Sequence, residues 1–112
     1  MSQYHEPAEE LSQKTRDCTR ALVSLKEEIE AVDWYNQRID HEIDPELKAI
    51  LEHNRDEEME HAAMVLEWLR RNMPGWDEQL KENLFKEGSI AEHGHEGEDE
   101  GENKDLDIGK IK

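Results

Sequence analysis

Leu11, Cys18, Leu22, Leu25, Ile29 and Val32 recur at spacings of seven, four, three, four and three residues, with no glycine or proline between residues 8 and 38. That period is the seam of a long helix packed against other helices. It predicts a first helix over 8–38. Asp44 then offers an N-cap and Pro45 a first helical residue. A second helix is expected from there to about Asn72, where Met73, Pro74 and Gly75 end it. A short third helix is expected over 76–87, around Trp76, Leu80 and Leu84. Two long helices with a short connection favour an all-α antiparallel hairpin. Such a hairpin gives its seam one partner and is too short to bury much. Two hairpins are therefore expected to dimerise into a four-helix bundle.

From Gly88 the composition changes. Residues 88–105 are rich in glycine and acid and are expected to be a disordered linker. The last seven residues, LDIGKIK, turn apolar again at Leu106, Ile108 and Ile111, as a docking peptide on a tether would. The organisation expected is a helical body over 1–87, a linker over 88–105 and a docking segment over 106–112.

The charge narrows the partners. The chain carries 30 acidic and 14 basic residues, for a net charge of -16. Residues 1–87 alone hold 22 acidic and 11 basic side chains, 11 − 22 = −11. A surface of that sign is not drawn to nucleic acid or an anionic membrane, and it concentrates cations. No stretch has the length of apolar residues that a membrane span needs. The start, MSQYHEPAEEL, lacks the basic and apolar regions of a signal peptide, so the cytoplasm is the compartment expected. The one cysteine, Cys18, excludes a disulfide within the chain and reads as a packed thiol.

Glu58 and His61 interrupt the apolar pattern of the second helix. At ~100° per residue, Leu47, Leu51, Val65 and Leu69 all fall within about 20° of Glu58, and His61 about 60° away. A carboxylate centred in an apolar stripe is costly unless it is paired or bound to metal. Glu and His at i and i+3 share a face and can hold one ion. Imidazole favours transition metals, and carboxylates keep the site hard enough for iron or manganese. On the first helix Glu28 lies 15 residues before the connection near residue 43, and Glu58 lies 15 after it. Equal distances from an antiparallel turn mean equal height, so Glu28, Glu58 and His61 are expected to converge. Di-iron carboxylate bundles need a Glu from each of two helices and a Glu-x-x-His from each of two others. This chain supplies half of that set, and a second copy would supply the rest.

Three further features each allow two readings. Tyr35, seven residues after Glu28, can hydrogen-bond a metal ligand or simply fill an interface. Glu27, Glu30 and Trp34 form one row on the far face, either a solvated face or an outer cation site. His93 and His95 can bind metal weakly or stay solvated.

The segments EEIEAVDWYNQRID, HNRDEEMEHAAMVLEWLRR and LDIGKIK resemble the encapsulated ferritins, ferritin-like cargo of encapsulin nanocompartments. The likeness covers roughly residues 5–90 and the terminal peptide. It implies a ferritin-like bundle and a ferroxidase di-iron centre between two subunits, with two iron ions per dimer. Glu28, Glu58 and His61 match the ligands, and Tyr35 matches a nearby tyrosine. Glu27, Glu30 and Trp34 match an outer site through which metal enters. The resemblance further implies dimers assembled into a ring, a decamer built as a pentamer of dimers. It also implies loading into an encapsulin shell through Leu106, Ile108, Gly109 and Ile111. The peptide departs from the family pattern at Lys110 and Ile111, where Ser and Leu are usual.

Other classes fit less well. An acidic helical adaptor would use Glu58 and His61 only to fix pairing register. A magnesium-dependent nucleotide pyrophosphatase would need an acid in place of His61 and basic groups for phosphates. A rubrerythrin-like peroxidase would need rubredoxin cysteines, which the chain lacks.

Overall fold

A computed structural model describes residues 4–92. It divides into two compact units between Asn72 and Met73. The first unit opens with a single 3-10 turn, Ala8–Glu10, followed by α1 over Gln13–His41 and α2 over Pro45–Asn72. The second unit contains α3, Trp76–Asn83. Among the described residues there is no strand, and no helix is long and apolar enough to cross a membrane.

The start of α1 corrects the expected boundary. The helix does not begin at residue 8, because Leu11 and Ser12 are extended. Ser12 Oγ then accepts the Thr15 N–H at 3.1 Å, satisfying one of the donors that a helix start leaves orphaned. At the other end α1 runs past residue 38 to His41, with Arg38 and His41 in the last turn where cations are favoured. Asp44 caps α2 as its sequence predicts, its Oδ2 accepting the Leu47 N–H at 2.8 Å. Arg70 and Arg71 complement the far end of α2, and Asn72 Nδ2 donates to Trp68 O at 2.9 Å.

In the second unit, Gly75 opens α3 at φ +102, a left-handed conformation in which a side chain would be strained. α3 stops at Asn83 rather than 87. Leu84 is extended and Phe85 has φ +59, which breaks the helical hydrogen-bond run.

The two long helices are antiparallel neighbours along their length, as the short connection requires. Their core is thin. Among the described residues only Cys18, Ile39 and Leu69 are buried, Leu69 completely. Cys18 is the packed thiol expected. Ile39 joins the core because α1 continues past 38 and carries the seam one turn further. Much of the rest of the apolar face stays open: Ile29 is 56% exposed, Ile50 53% and Met64 62%. A hairpin that leaves this much apolar surface in water is an incomplete packing unit.

Candidate metal centre

Glu58 and His61 stand one turn apart on α2, and Glu28 faces them from α1 at the same height. His61 Nδ1 lies 3.5 Å from Glu58 Oε1 and 3.6 Å from Glu28 Oε1. One donor atom from each residue falls within 4.8 Å of the other two. Among the described residues this is the single set of three or more His, Cys, Asp or Glu side chains gathered closely enough for one ion. The equal spacing of Glu28 and Glu58 from the turn is what brings them level.

Both carboxylates are partly covered, while the His61 side chain is half exposed. Two carboxylates so close resist ionising together. The Glu28 carboxyl is accordingly pushed above its ordinary value, first by a hydrogen bond shared with Glu58, then by burial and by the Glu58 charge, with His61 pulling the other way. A bound cation would remove that repulsion. The donor set of two carboxylates and one imidazole suits iron or manganese better than Mg²⁺, which prefers oxygen ligands alone. Three protein ligands would leave coordination positions of an iron or manganese ion open.

Tyr35 is half-buried on the Glu28 side of α1, and the Arg38 guanidinium carbon lies 5.3 Å from its ring centroid. Glu27, Glu30 and Trp34 all stand exposed on α1. His93, His95, most of the 88–105 stretch and the 106–112 peptide lie outside the described residues.

Two polar features near the centre were not anticipated from the sequence. Arg55, one turn before Glu58, donates from Nη1 to Asn36 Oδ1 at 3.1 Å and so ties α2 to α1 between the centre and the turn. Nothing in the local pattern marks that pair, which is 19 residues apart. The Arg38–Tyr35 contact was open to discovery, since an i, i+3 spacing places the two on neighbouring positions. A groove of about 430 Å³ along α2, lined by Met64, Trp68, Glu67 and Arg71 among others, includes none of the three donors.

The profile of one family, EncFtn-like, matches residues 3–87. The chain belongs to the EncFtn-like family. The chain is also similar to known proteins over most of its length. A "Ferritin-like protein" of Thermotoga maritima is 61% identical over 107 residues, covering 96% of this chain and 94% of the relative. An "Encapsulated ferritin-like protein" of Rhodospirillum rubrum is 63% identical over 87 residues, covering 78% of this chain and 62% of the relative. A crystal structure of a protein from Nitrosomonas europaea matches with a TM-score of 0.75 and 61% identity, covering 79% of this chain and 97% of that one. The all-helical hairpin is thus an EncFtn-like fold, and the encapsulated-ferritin resemblance read from the sequence is borne out. An iron-related, ferritin-like role follows from the same membership.

Proposed function

We propose that this protein is a ferroxidase, oxidising Fe²⁺ to Fe³⁺ at a di-iron centre formed between two subunits. The observation that supports it most is the convergence of Glu28, Glu58 and His61 closely enough to hold one ion, which matches half of the ligands a di-iron bundle needs. Fe²⁺ is the substrate. In a two-fold dimer each chain contributes the same three donors, so two ions are held side by side. Glu28 and His61 serve as terminal ligands, and Glu58 from each chain bridges. Hard, anionic carboxylates favour Fe³⁺ over Fe²⁺. Each ion gives up one electron, and the pair delivers two electrons to dioxygen.

Several finer readings belong with this one. Tyr35 hydrogen-bonds near the ligands. Glu27, Glu30 and Trp34 form the outer site that collects Fe²⁺ from solvent. Dimers assemble into a ring, with the decamer as the form expected. Leu106, Ile108, Gly109 and Ile111 dock the protein in an encapsulin shell, where the ferric product is stored as mineral. The protein then works in the cytoplasm, enclosed in that compartment. The body of this reading rests on 1–87, with 88–105 as tether and 106–112 as the docking segment.

The deciding experiment adds Fe²⁺ to the purified protein without oxygen, admits air and follows Fe³⁺ formation. Wild type is expected to oxidise iron well above the buffer rate, and Glu58→Ala to fall back to it. Oxidation no faster than buffer in wild type would sink the ferroxidase reading. Glu58 and His61 would then be a register pair in an acidic structural bundle.

A further inference from the structure

A site that removes electrons from metal two helical turns from an oxidisable aromatic ring has a problem of selectivity. Tyr35 follows Glu28 by seven residues, about 20° short of two full turns and roughly 10 Å along the axis. It lies on the same side of α1 and is half-buried. Its ring is the aromatic group that α1 presents closest in sequence to the centre on that side. Over it stands the Arg38 guanidinium, 5.3 Å from the ring centroid.

We propose that Arg38 protects Tyr35 from one-electron oxidation by holding a fixed positive charge over its ring. A cation over an aromatic face is stabilised by the ring's electron density. Removing an electron from the ring removes that attraction and places the hole beneath the charge. The oxidation is therefore harder than for an uncovered tyrosine. The step that is suppressed is Tyr–OH losing one electron and its phenolic proton to give the neutral phenoxyl radical. The oxidant of the ring is the hydroxyl radical made when a further Fe²⁺ cleaves hydrogen peroxide, which leaves Fe³⁺ and hydroxide as the other products. It takes up that hydrogen atom and becomes water. The peroxide comes from dioxygen that has accepted two electrons from two Fe²⁺ ions, which become Fe³⁺, and two protons from solvent.

Arg38 touches no reacting atom. It is a positioning residue that acts through Tyr35. Its place in the last turn of α1 already favours a cation there. The benefit to iron oxidation rests on the ferroxidase reading. The effect on the ring does not.

The test oxidises the full chain without iron, using photogenerated ruthenium(III) tris-bipyridine with persulfate as the terminal acceptor. Ruthenium(III) takes the electron and the phenolic proton goes to solvent. Electron paramagnetic resonance of frozen samples then measures tyrosyl radical. The Tyr35 share is the part lost in Tyr35→Phe. Arg38→Met keeps a long side chain over the ring but removes the charge, and is expected to raise that share roughly two- to fivefold. Arg38→Lys restores a cation and is expected to bring it back toward wild type. A yield in Arg38→Met equal to wild type overturns the proposal. So does a yield in Arg38→Lys as high as in Arg38→Met, because shielding by the guanidinium rather than its charge would then explain the effect. Fe²⁺ oxidation in air is followed on the same samples. If wild type oxidises no iron, the ferroxidase reading falls and the photochemical result still decides the role of Arg38.

Discussion

His61 Nδ1 on α2 lies 3.6 Å from Glu28 Oε1 on α1, so the imidazole reaches across the hairpin as well as back to its helix neighbour Glu58. The contact couples the fold to ionisation. Glu28 titrates above its ordinary 4.5, first through its hydrogen bond with Glu58 and then through burial. A carboxyl with a raised folded-state pKa contributes stability below its unfolded value and loses it as pH rises through the folded one. At neutral pH the cluster therefore holds repulsion that a divalent cation relieves. Manganese added in thermal denaturation is expected to raise the melting temperature more at pH 7 than at pH 5. In Glu28→Gln most of that difference should vanish.

Glu67 behaves in the opposite sense. Its carboxylate accepts Arg70 Nε at 2.8 Å, Arg70 Nη2 at 2.7 Å and Arg71 Nε at 2.6 Å. Hydrogen bonds from Arg70 and Arg71 hold it down at about 2. A depressed carboxyl contributes stability above its unfolded value and loses it as pH falls through the folded one. The window here runs from the ordinary 4.5 down to about 2. Carboxyl NMR should place Glu67 at the acid end of that window, and Arg71→Gln should move it upward. Arg71 is exposed and Glu67 and Arg70 are only half-buried, so the change in overall stability is expected to be small.

Arg55 and Asn36 form a tie between the two helices. Asn36→Ala is expected to cost about 0.5–1.5 kcal/mol in urea denaturation, the usual worth of one hydrogen bond. A variant of unchanged stability would show that packing alone sets the register of Glu28 against Glu58. Cation affinity measured calorimetrically on the same protein should fall modestly, because the donors lose part of what keeps them level.

The convergence of Glu28, Glu58 and His61 was legible in the sequence because a periodicity and a distance met. A 3.6-residue repeat put Glu58 in the apolar stripe, and equal counts from the turn put Glu28 opposite it. The Asp44 cap and the end of α2 were legible because Asp–Pro and Met–Pro–Gly have local meaning. The start of α1 was not, since apolar spacing carries through Leu11 while the backbone breaks at Ser12, where a hydroxyl caps the helix. The end of α3 was missed for a similar reason. Leu84 keeps the apolar spacing, but Phe85 adopts a positive φ that no side-chain pattern announces. The Arg55–Asn36 tie depends on how two helices face one another, which sequence distance does not encode.

The thin core leads to the last prediction. Leu69 is fully buried within one hairpin, while Ile29 beside Glu28 is 56% exposed. If the open apolar face is closed by a second copy, the two positions fail differently. Leu69→Ala removes packing inside the hairpin and is expected to cost about 2–5 kcal/mol whatever the assembly. Ile29→Asp leaves that core intact and places a charge where the copies would meet. It is expected to shift the protein toward monomer in light scattering, retain helical circular dichroism, and lose iron oxidation because each chain is left with half of the ligands. A monomeric Ile29→Asp protein that still oxidised iron at the wild-type rate would show that one hairpin suffices. An Ile29→Asp protein that stayed assembled and active would move the interface to another face.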